Sequence, residues 1–307
     1  MYKNKKLSLA YFGSPDFSAD FLERLITDTT INQLIEVKLV VTQPDQKVGR
    51  KQILTPTPVK VIAEKYKKSE NTKFFAVYCF PPKNFGIELK DIDLALVYAY
   101  GDLIPKELLT LPKFGFWNIH PSLLPKYRGP SPIATPLING DKTTGVTIIK
   151  MDEEIDHGPI IAQESYTIKD TDYRTDLETK LTNLAFEMFK KTVTQLTGSR
   201  VNELKTKEQN HKEVIFTKKL SKNDGFVEFK NLKLKIKNSS EDLYNLFRGL
   251  YPWPGIWTLL PNGKRLKITG MNIARVGHDR PLQITRVQLE GKNEVDFPTF
   301  NKAYNIF

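Results

Sequence analysis

Residues 7–25 read Leu7-Ser8-Leu9-Ala10-Tyr11-Phe12-Gly13-Ser14-Pro15-Asp16, followed by Phe17, Phe21, Leu22 and Leu25 at helical spacing. An apolar run of strand length that halts at a Gly-Ser-Pro turn and passes into a helix-period stripe opens a strand–turn–helix unit. The pattern recurs along the chain. Ile35–Val41 is rich in β-branched residues and stops at Gln43-Pro44-Asp45, and Asp93–Tyr98, Phe116–Ile119 and Val146–Ile149 are further short apolar runs. Continuous apolar strands separated by helices predict a parallel sheet covered on both faces. From Asp170 to Leu196 a stripe of Leu177, Leu181, Leu184 and Met188 predicts a helix that closes the domain. The expected fold class is α/β, a Rossmann-like, mostly parallel sheet domain over residues 1–196.

Thr197 to Glu213 is polar and unpatterned, which reads as a linker over 197–213. Beyond it the texture changes. Short β-rich segments fall at Phe226–Phe229, Trp257–Leu260, Arg265–Ile273 and Leu282–Leu289, with Asn, Gly and Asp turns between them. One helix is expected from Ser239-Ser240-Glu241-Asp242 to Arg248, with Gly249 as its stop. Residues 214–307 are therefore expected to form a small, basic, OB-like β-barrel, an architecture that often carries nucleic acid.

Composition excludes several classes. Of 307 residues, 40% are hydrophobic and 26% charged, which suits a folded chain and not a disordered tail or low-complexity array. No apolar run approaches the roughly 20 residues that cross a bilayer. The apolar stretch of the N-terminus is about six residues long and lacks a small-residue cleavage site, so no signal peptide is expected. One cysteine, Cys79, cannot form an internal disulfide, and with four scattered His it offers no metal cluster. A cytoplasmic location is expected. The net charge is +11, unevenly spread: residues 1–207 hold 29 basic and 25 acidic side chains, residues 208–307 hold 17 and 10. A bias of this kind points to a polyanionic partner, nucleic acid before acidic lipid, or else to a soluble Lys-rich surface.

Two stretches carry chemistry. In Asn118-Ile119-His120-Pro121-Ser122-Leu123-Leu124-Pro125-Lys126-Tyr127-Arg128-Gly129, Asn118 and His120 are two apart at the end of a strand, so their side chains leave the same side. Strand carboxyl ends are where ligands bind in parallel α/β sheets. An amide and an imidazole are thereby offered to one reacting oxygen, and the Pro and Leu residues after them make a stiff wall for a flat ligand. Taken alone, the pair also fits a turn-capping Asn and a satisfied interior His. The second stretch is Met151-Asp152-Glu153-Glu154-Ile155-Asp156-His157-Gly158-Pro159. Asp156 stands before x-Gly in a tight turn that can hold a carboxylate inward, although the run also reads as a solvated acidic loop.

These stretches resemble those of the methionyl-tRNA formyltransferases, part of the larger group that uses 10-formyltetrahydrofolate. The matching pieces are FGSPDF at 12–17, VTQPDQKVGRKQILTPTPVK at 41–60, VYAYGDLIPKELL at 97–109, NIHPSLLPKYRGPSPI at 118–133 and GVTIIKMDEEIDHGPII at 145–161. LSKNDG at 220–225, RGLYPWPGIWT at 248–258 and GKRLKI at 263–268 complete the set. Tyr127 and Pro130-Ser131 depart from the commoner Trp and Ala-Ala of that family.

The resemblance implies a catalytic trio of Asn118, His120 and Asp156. Asn118 and His120 would face the oxyanion that develops as methionine's α-amino group attacks the formyl carbon, and Asp156 would shuttle the proton. It also implies a folate site lined by Ser122, Leu123, Leu124 and Pro125, with Tyr100, Gly101 and Ile104 at the pterin. The donor would be 10-formyltetrahydrofolate, with no metal. The partner would be initiator Met-tRNA, met by Lys47, Arg50 and Lys51 of the loop 43–60 and by the basic C-terminal domain. A monomer with no membrane attachment is expected. The aromatics Tyr251, Trp253 and Trp257 read as packing around Pro252, Pro254 and Gly255 more readily than as a base-stacking platform.

Neighbouring readings are an enzyme that formylates an amino-sugar, a ribonucleotide or another small amine, and a formyl-folate hydrolase. The basic residues 208–307 argue against the purine-pathway relative. A purely RNA-binding protein would leave the trio without a purpose. Phe12-Gly13-Ser14-Pro15 lacks the glycine fingerprint of a dinucleotide dehydrogenase.

Overall fold

The computed structural model describes residues 6–49, 51–67, 76–79, 88–198, 205–238, 241–273 and 282–306. In chain order its strands are β1 (Leu7–Gly13), β2 (Ile35–Thr42), β3 (Gln46–Val48), β4 (Ile53–Thr55), β5 (Ala76–Cys79), β6 (Leu94–Tyr98), β7 (Phe116–His120) and β8 (Lys126–Arg128). Then follow β9 (Thr143–Lys150), β10 (Ile160–Thr167), β11 (Ile215–Phe216), β12 (Ile256–Leu259), β13 (Arg265–Ile273), β14 (Leu282–Leu289) and β15 (Glu294–Asp296). The chain divides into two compact units. One comprises Met1–Pro130, Gly145–Tyr166 and Thr179–Phe216, the other Ser131–Thr144, Thr167–Glu178 and Thr217–Phe307.

The first unit is built on a seven-stranded sheet in the order β10-β9-β7-β6-β1-β2-β5. Its β5–β2–β1–β6–β7 portion is parallel, as the strand–helix alternation predicts. Every residue of β6 is buried, the signature of a strand covered on both faces. The helix Asp16–Thr27 lays Phe21, Leu22 and Leu25 onto the sheet. Gly13 sits where β1 hands over to that helix. A Cβ there would stand 2.0 Å from Ser18 Oγ, and Ser18 Oγ itself donates to Tyr98 O at 2.8 Å. The missing side chain lets β1, the helix and the end of β6 meet. The closing helix is observed as Arg174–Gly198, with its Thr182 hydroxyl 2.8 Å from the Tyr98 hydroxyl and its Phe186 ring 5.5 Å from that of Phe21.

β9 runs antiparallel to β7, pairing Asn118 with Ile149 and His120 with Thr147. It therefore delivers its carboxyl end to the amino end of β7, where Met151 N–H donates to Phe116 O at 2.7 Å. The acidic loop must double back from there to reach the Asn118–His120 face.

The second unit carries a four-stranded sheet, β12-β13-β14-β15, antiparallel at every pairing. Leu266, Ile268 and Val287 on the sheet pack with Leu243, Phe247 and Phe300 from two helices, Glu241–Leu250 and Phe297–Tyr304. Two local expectations differ from the structure. Phe226 forms only an isolated bridge with Trp257, and Phe229 begins the helix Phe229–Lys237. There Phe229, Leu232 and Ile236 recur at helical spacing and direct an apolar stripe to the core, which overrides local β propensity. Gly249, read as a helix stop, lies inside Glu241–Leu250. A Cβ on it would stand 2.5 Å from Ile138 Cγ1 and 3.0 Å from Ala134 O. Its role is close approach to the helix Ala134–Asn139, not termination.

Candidate active site

Asn118 and His120 project from the same face of β7, as an i, i+2 pair on a strand must. Asp156 joins them. Asn118 Nδ2 donates to Asp156 Oδ1 at 2.9 Å, Gly129 N–H donates to Asp156 Oδ2 at 2.7 Å, and His120 Nδ1 lies 3.4 Å from Asp156 Oδ1. His120 Nε2 is 2.8 Å from Tyr127 O. A carbonyl can only accept, so Nε2 carries a hydrogen, and Nδ1 is left facing the carboxylate. A neutral ring of that tautomer would set two lone pairs against each other. A proton between the ring and Asp156 removes the conflict.

Electrostatics point the same way. Burial pulls the pKa of His120 down, but the charge and hydrogen bond of Asp156 and the Tyr127 carbonyl outweigh it, so the imidazole is raised above its ordinary value. Burial pushes Asp156 up. The His120 charge and hydrogen bond, the Gly129 N–H and the Arg128 charge overcome that and hold it below the usual carboxylate range. Both directions describe one buried pair that favours imidazolium and carboxylate.

The backbone that presents Asp156 is unusual. Asp156 has φ +51°, in the left-handed region that Asp tolerates better than most residues. Tyr127, whose carbonyl orients His120, has φ +67°, a conformation uncommon for a bulky side chain. Gly158 is required by contact, since a Cβ there would fall 1.8 Å from Lys150 O.

The other expected residues occupy the loops that follow β6 and β7. Ser14 Oγ donates to Tyr100 O at 2.8 Å and pins that loop to the turn after β1. Tyr100 is buried against Phe12, Gly101 is exposed with φ +93°, and Ile104 packs on the cluster around Phe12 and Phe116. Ser122 is fully buried, its hydroxyl donating to Lys126 O at 2.7 Å and its carbonyl accepting from Thr147 Oγ1 at 2.7 Å. Leu124 N–H donates to Thr147 Oγ1 at 3.1 Å and Leu124 O accepts from Gln163 Nε2 at 2.9 Å. Ser122 and Leu124 thus spend their polar groups on the shape of the loop, while Leu123 and Pro125 are half-buried on it.

Lys47 and Lys51 are exposed on the β3–β4 hairpin, whose base is held by Lys60 Nζ against Asp45 Oδ1 at 2.7 Å. The same hairpin exposes Val48, Ile53 and Leu54. Arg50 lies outside the described residues.

Behind Asp156 lie residues that the sequence pattern does not single out. Gln209, inside the stretch read as linker, is buried. Its Nε2 donates to Asp156 O at 2.9 Å and Gly158 O at 2.8 Å, and its Oε1 accepts from Arg128 Nη2 at 2.7 Å. Arg128 also donates from Nη2 to His211 Nδ1 at 2.9 Å. His211 stacks on His157 at 4.2 Å, and His157 Nδ1 bonds Asp152 Oδ2 at 2.7 Å. A lone Gln in a polar run carries no pattern that marks it as buried. Arg128, within the quoted KYRG, was the available signal. Among the described residues no group of three or more His, Cys, Asp or Glu could hold a metal ion.

An amide, an imidazole and a carboxylate thus meet at one point beside the loops that follow β6 and β7, an arrangement whose chemistry suits acyl-type transfer. The family described as formyl transferase matches residues 7–193, and its C-terminal domain matches 219–276. The chain belongs to the formyl transferase family. Among its relatives, the methionyl-tRNA formyltransferase of Caldicellulosiruptor saccharolyticus is 34% identical over 98% of this chain and 98% of its own. That of Halalkalibacterium halodurans is 36% identical over 85% of this chain and 77% of its own. In fold the chain is similar to a 4-N formyltransferase from Francisella tularensis, with TM-score 0.62 and 20% identity over 84% of this chain and 95% of that one.

Proposed function

We propose that the protein transfers the formyl group of 10-formyltetrahydrofolate to the α-amino group of methionine on initiator Met-tRNA, for translation initiation, as a monomer in the cytoplasm. The observation that carries the reading is the convergence of Asn118, His120 and Gly129 on the Asp156 carboxylate. Full-length similarity to methionyl-tRNA formyltransferases supports the acceptor. No helix of the described residues is long and apolar enough to cross a membrane.

The residues fit the folate. Beside the trio, the loop after β6 exposes main chain at Ala99 (φ +54°) and Gly101, and a Cβ on Gly101 would stand 2.9 Å from Gln43 Nε2. Exposed peptide groups in a turn suit the donor–acceptor edge of a pterin; Tyr100, Gly101 and Ile104 would hold that edge, and Ser122, Leu123, Leu124 and Pro125 would line the rest of the folate site. When bound, the folate supplies an activated formyl carbon. Asn118 keeps a second amide N–H beyond the one given to Asp156, and that N–H and the His120 ring stabilise negative charge growing on the formyl oxygen. One such donor is worth about 3–4 kcal/mol. Asp156, with the His120 imidazolium beside it, would accept the proton that the attacking amine releases and pass it to the leaving nitrogen, help of about 10²–10⁴ in rate.

The tRNA would be met by Lys47, Arg50 and Lys51 at its acceptor end and by the basic C-terminal part, residues 214–307, joined through 197–213 to the catalytic part, 1–196. The pairing of β13 with β14 shifts register around Gly270, as at sites where a sheet curves, which supports an OB-like arrangement there. The test is to incubate the protein with labelled 10-formyltetrahydrofolate and charged initiator tRNA, and separately with amino-sugar nucleotides. Label appears on methionine if the reading holds; transfer to the sugar alone makes it an amino-sugar formyltransferase.

A further inference from the structure

The contacts behind Asp156 close into a ring. Gly129 N–H donates to Asp156 Oδ2, and Gly129 is joined covalently to Arg128. The Arg128 guanidinium donates through Nη2 and Nε to Gln209 Oε1, at 2.7 and 3.3 Å. Gln209 Nε2 then returns to Asp156 O and, with its other hydrogen, to Gly158 O. Orientation of the Gln209 amide is forced: flipped, it would set its oxygen against two carbonyls and its NH₂ against a guanidinium. The segment bearing Gln209 is itself fastened to the rest of the first unit. Lys207 and Ile160 exchange backbone hydrogen bonds of 2.7 and 2.8 Å, and β11 pairs with β8.

We propose that Gln209 is a positioning residue for formyl transfer, holding the left-handed Asp156 backbone and, through Arg128, the Gly129 donor in register with the Asp156 carboxylate. Nothing else about Gln209 suits it to chemistry, since its amide is fully committed and buried. A strained residue persists only where its surroundings over-determine it, and this ring supplies the determination. The inference rests on the reading of Asp156 as the proton acceptor.

The test uses the full chain with Gln209→Leu and the isosteric Gln209→Glu, which keeps a partner for Arg128 but sets oxygens against two carbonyls. Formyl transfer to charged initiator tRNA is measured together with tetrahydrofolate binding and the NMR titration of the His120 ring, identified by its loss in His120→Asn. His120 faces Asp156 and feels the Arg128 charge, while Asp156 is faced by His120 and Arg128. Arg128 in turn contacts His211 and feels Asp152 and Glu154 of the Asp156 loop, where His157 is paired with Asp152. In both variants kcat falls about 10–100-fold, the loss expected from a misplacement near 1 Å. KM for each substrate and tetrahydrofolate affinity stay within about threefold, the mark of an effect confined to the transition state. The His120 midpoint drops as the carboxylate moves off.

A melting temperature that falls while kcat and the His120 midpoint hold would make Gln209 merely structural and overturn the proposal. Loss of kcat with an unmoved midpoint would overturn it too. A wild-type protein that transfers no formyl group would sink the functional reading instead, and the His120 titration would still decide whether Gln209 positions Asp156. Should Gln209→Leu not fold, Gln209→Glu carries the measurement.

Discussion

The side-chain amide of Asn118 donates to Asp156 Oδ1 at 2.9 Å across 38 positions of chain. This bond is the reason an acidic loop that leaves β9 beside the amino end of β7 ends with one carboxylate turned inward. Asp152, Glu153 and Glu154 remain at or near the surface, while the Asp156 side chain is 11% exposed. The bond also commits one of the two Asn118 hydrogens and fixes which way the amide faces.

Asp156→Asn follows directly from that geometry. The carboxylate accepts from Asn118 Nδ2 and Gly129 N–H through separate oxygens. An amide has one oxygen, so one of those donors would meet an NH₂ group, and the proton acceptor would be gone as well. We expect kcat to fall about 10²–10⁴-fold, the range for a lost general base, with tetrahydrofolate affinity and circular dichroism retained. Near-normal turnover in single-turnover assays would remove Asp156 from the mechanism.

The His120–Asp156 pair gives stability a defined pH dependence. His120 is raised on folding, so its contribution is full below its unfolded pKa and disappears as pH rises through the folded value. Asp156 is lowered, so its contribution is present above its unfolded pKa and disappears as pH falls through the folded value, below the usual carboxylate range. Urea unfolding across pH is therefore expected to show a component that is full between the ordinary carboxylate and ordinary imidazole values and falls away on either side. In His120→Asn the arm on the imidazole side should be absent and the arm on the carboxylate side reduced, since the Gly129 N–H and Arg128 still lower Asp156; an unchanged profile would mean the pair is not ionised in the folded state.

Much of this was legible in the residues. Continuous apolar runs such as Leu94–Tyr98 announce a parallel strand because both its faces are covered. The period of two by itself places Asn118 and His120 on one side of a strand. Gln209 was not legible: its burial comes from a strap of main chain pairing with Ile160 and β8, contacts remote in sequence and silent in composition. Gly249 failed differently. A glycine near a helix end looks the same whether it serves φ > 0 or close packing, and only the partner helix distinguishes them.

Gly249→Ala tests that second role. The new methyl would meet Ile138 Cγ1 at 2.5 Å, a side-chain atom that can shift, but also Ala134 O at 3.0 Å and Ile138 N at 3.2 Å, which belong to backbone. Overpacking of this kind costs about 1–3 kcal/mol, more than alanine gains in helix propensity. Denaturant unfolding should show the loss, with formyl transfer per folded molecule unchanged. A stabilised variant would return Gly249 to the part of a helix terminator.

The proposed tRNA role of the β3–β4 hairpin makes a prediction in salt. Lys47 and Lys51 are exposed there, while Lys60 is held by Asp45 and serves the hairpin base. If the two exposed lysines sit on phosphates of a single-stranded acceptor end, each releases counterions on binding. Removing both should flatten the slope of log affinity against log salt by about 1.4, taking roughly 0.7 per contact on single strands. Lys47→Ala/Lys51→Ala should accordingly raise KM for charged tRNA most at low ionic strength and leave KM for the folate where it was. Titrations of charged initiator tRNA at several salt concentrations measure the slope. A parallel line, displaced or not, would mean these side chains neutralise no phosphate, and the hairpin would then have to act through its exposed Val48, Ile53 and Leu54 instead.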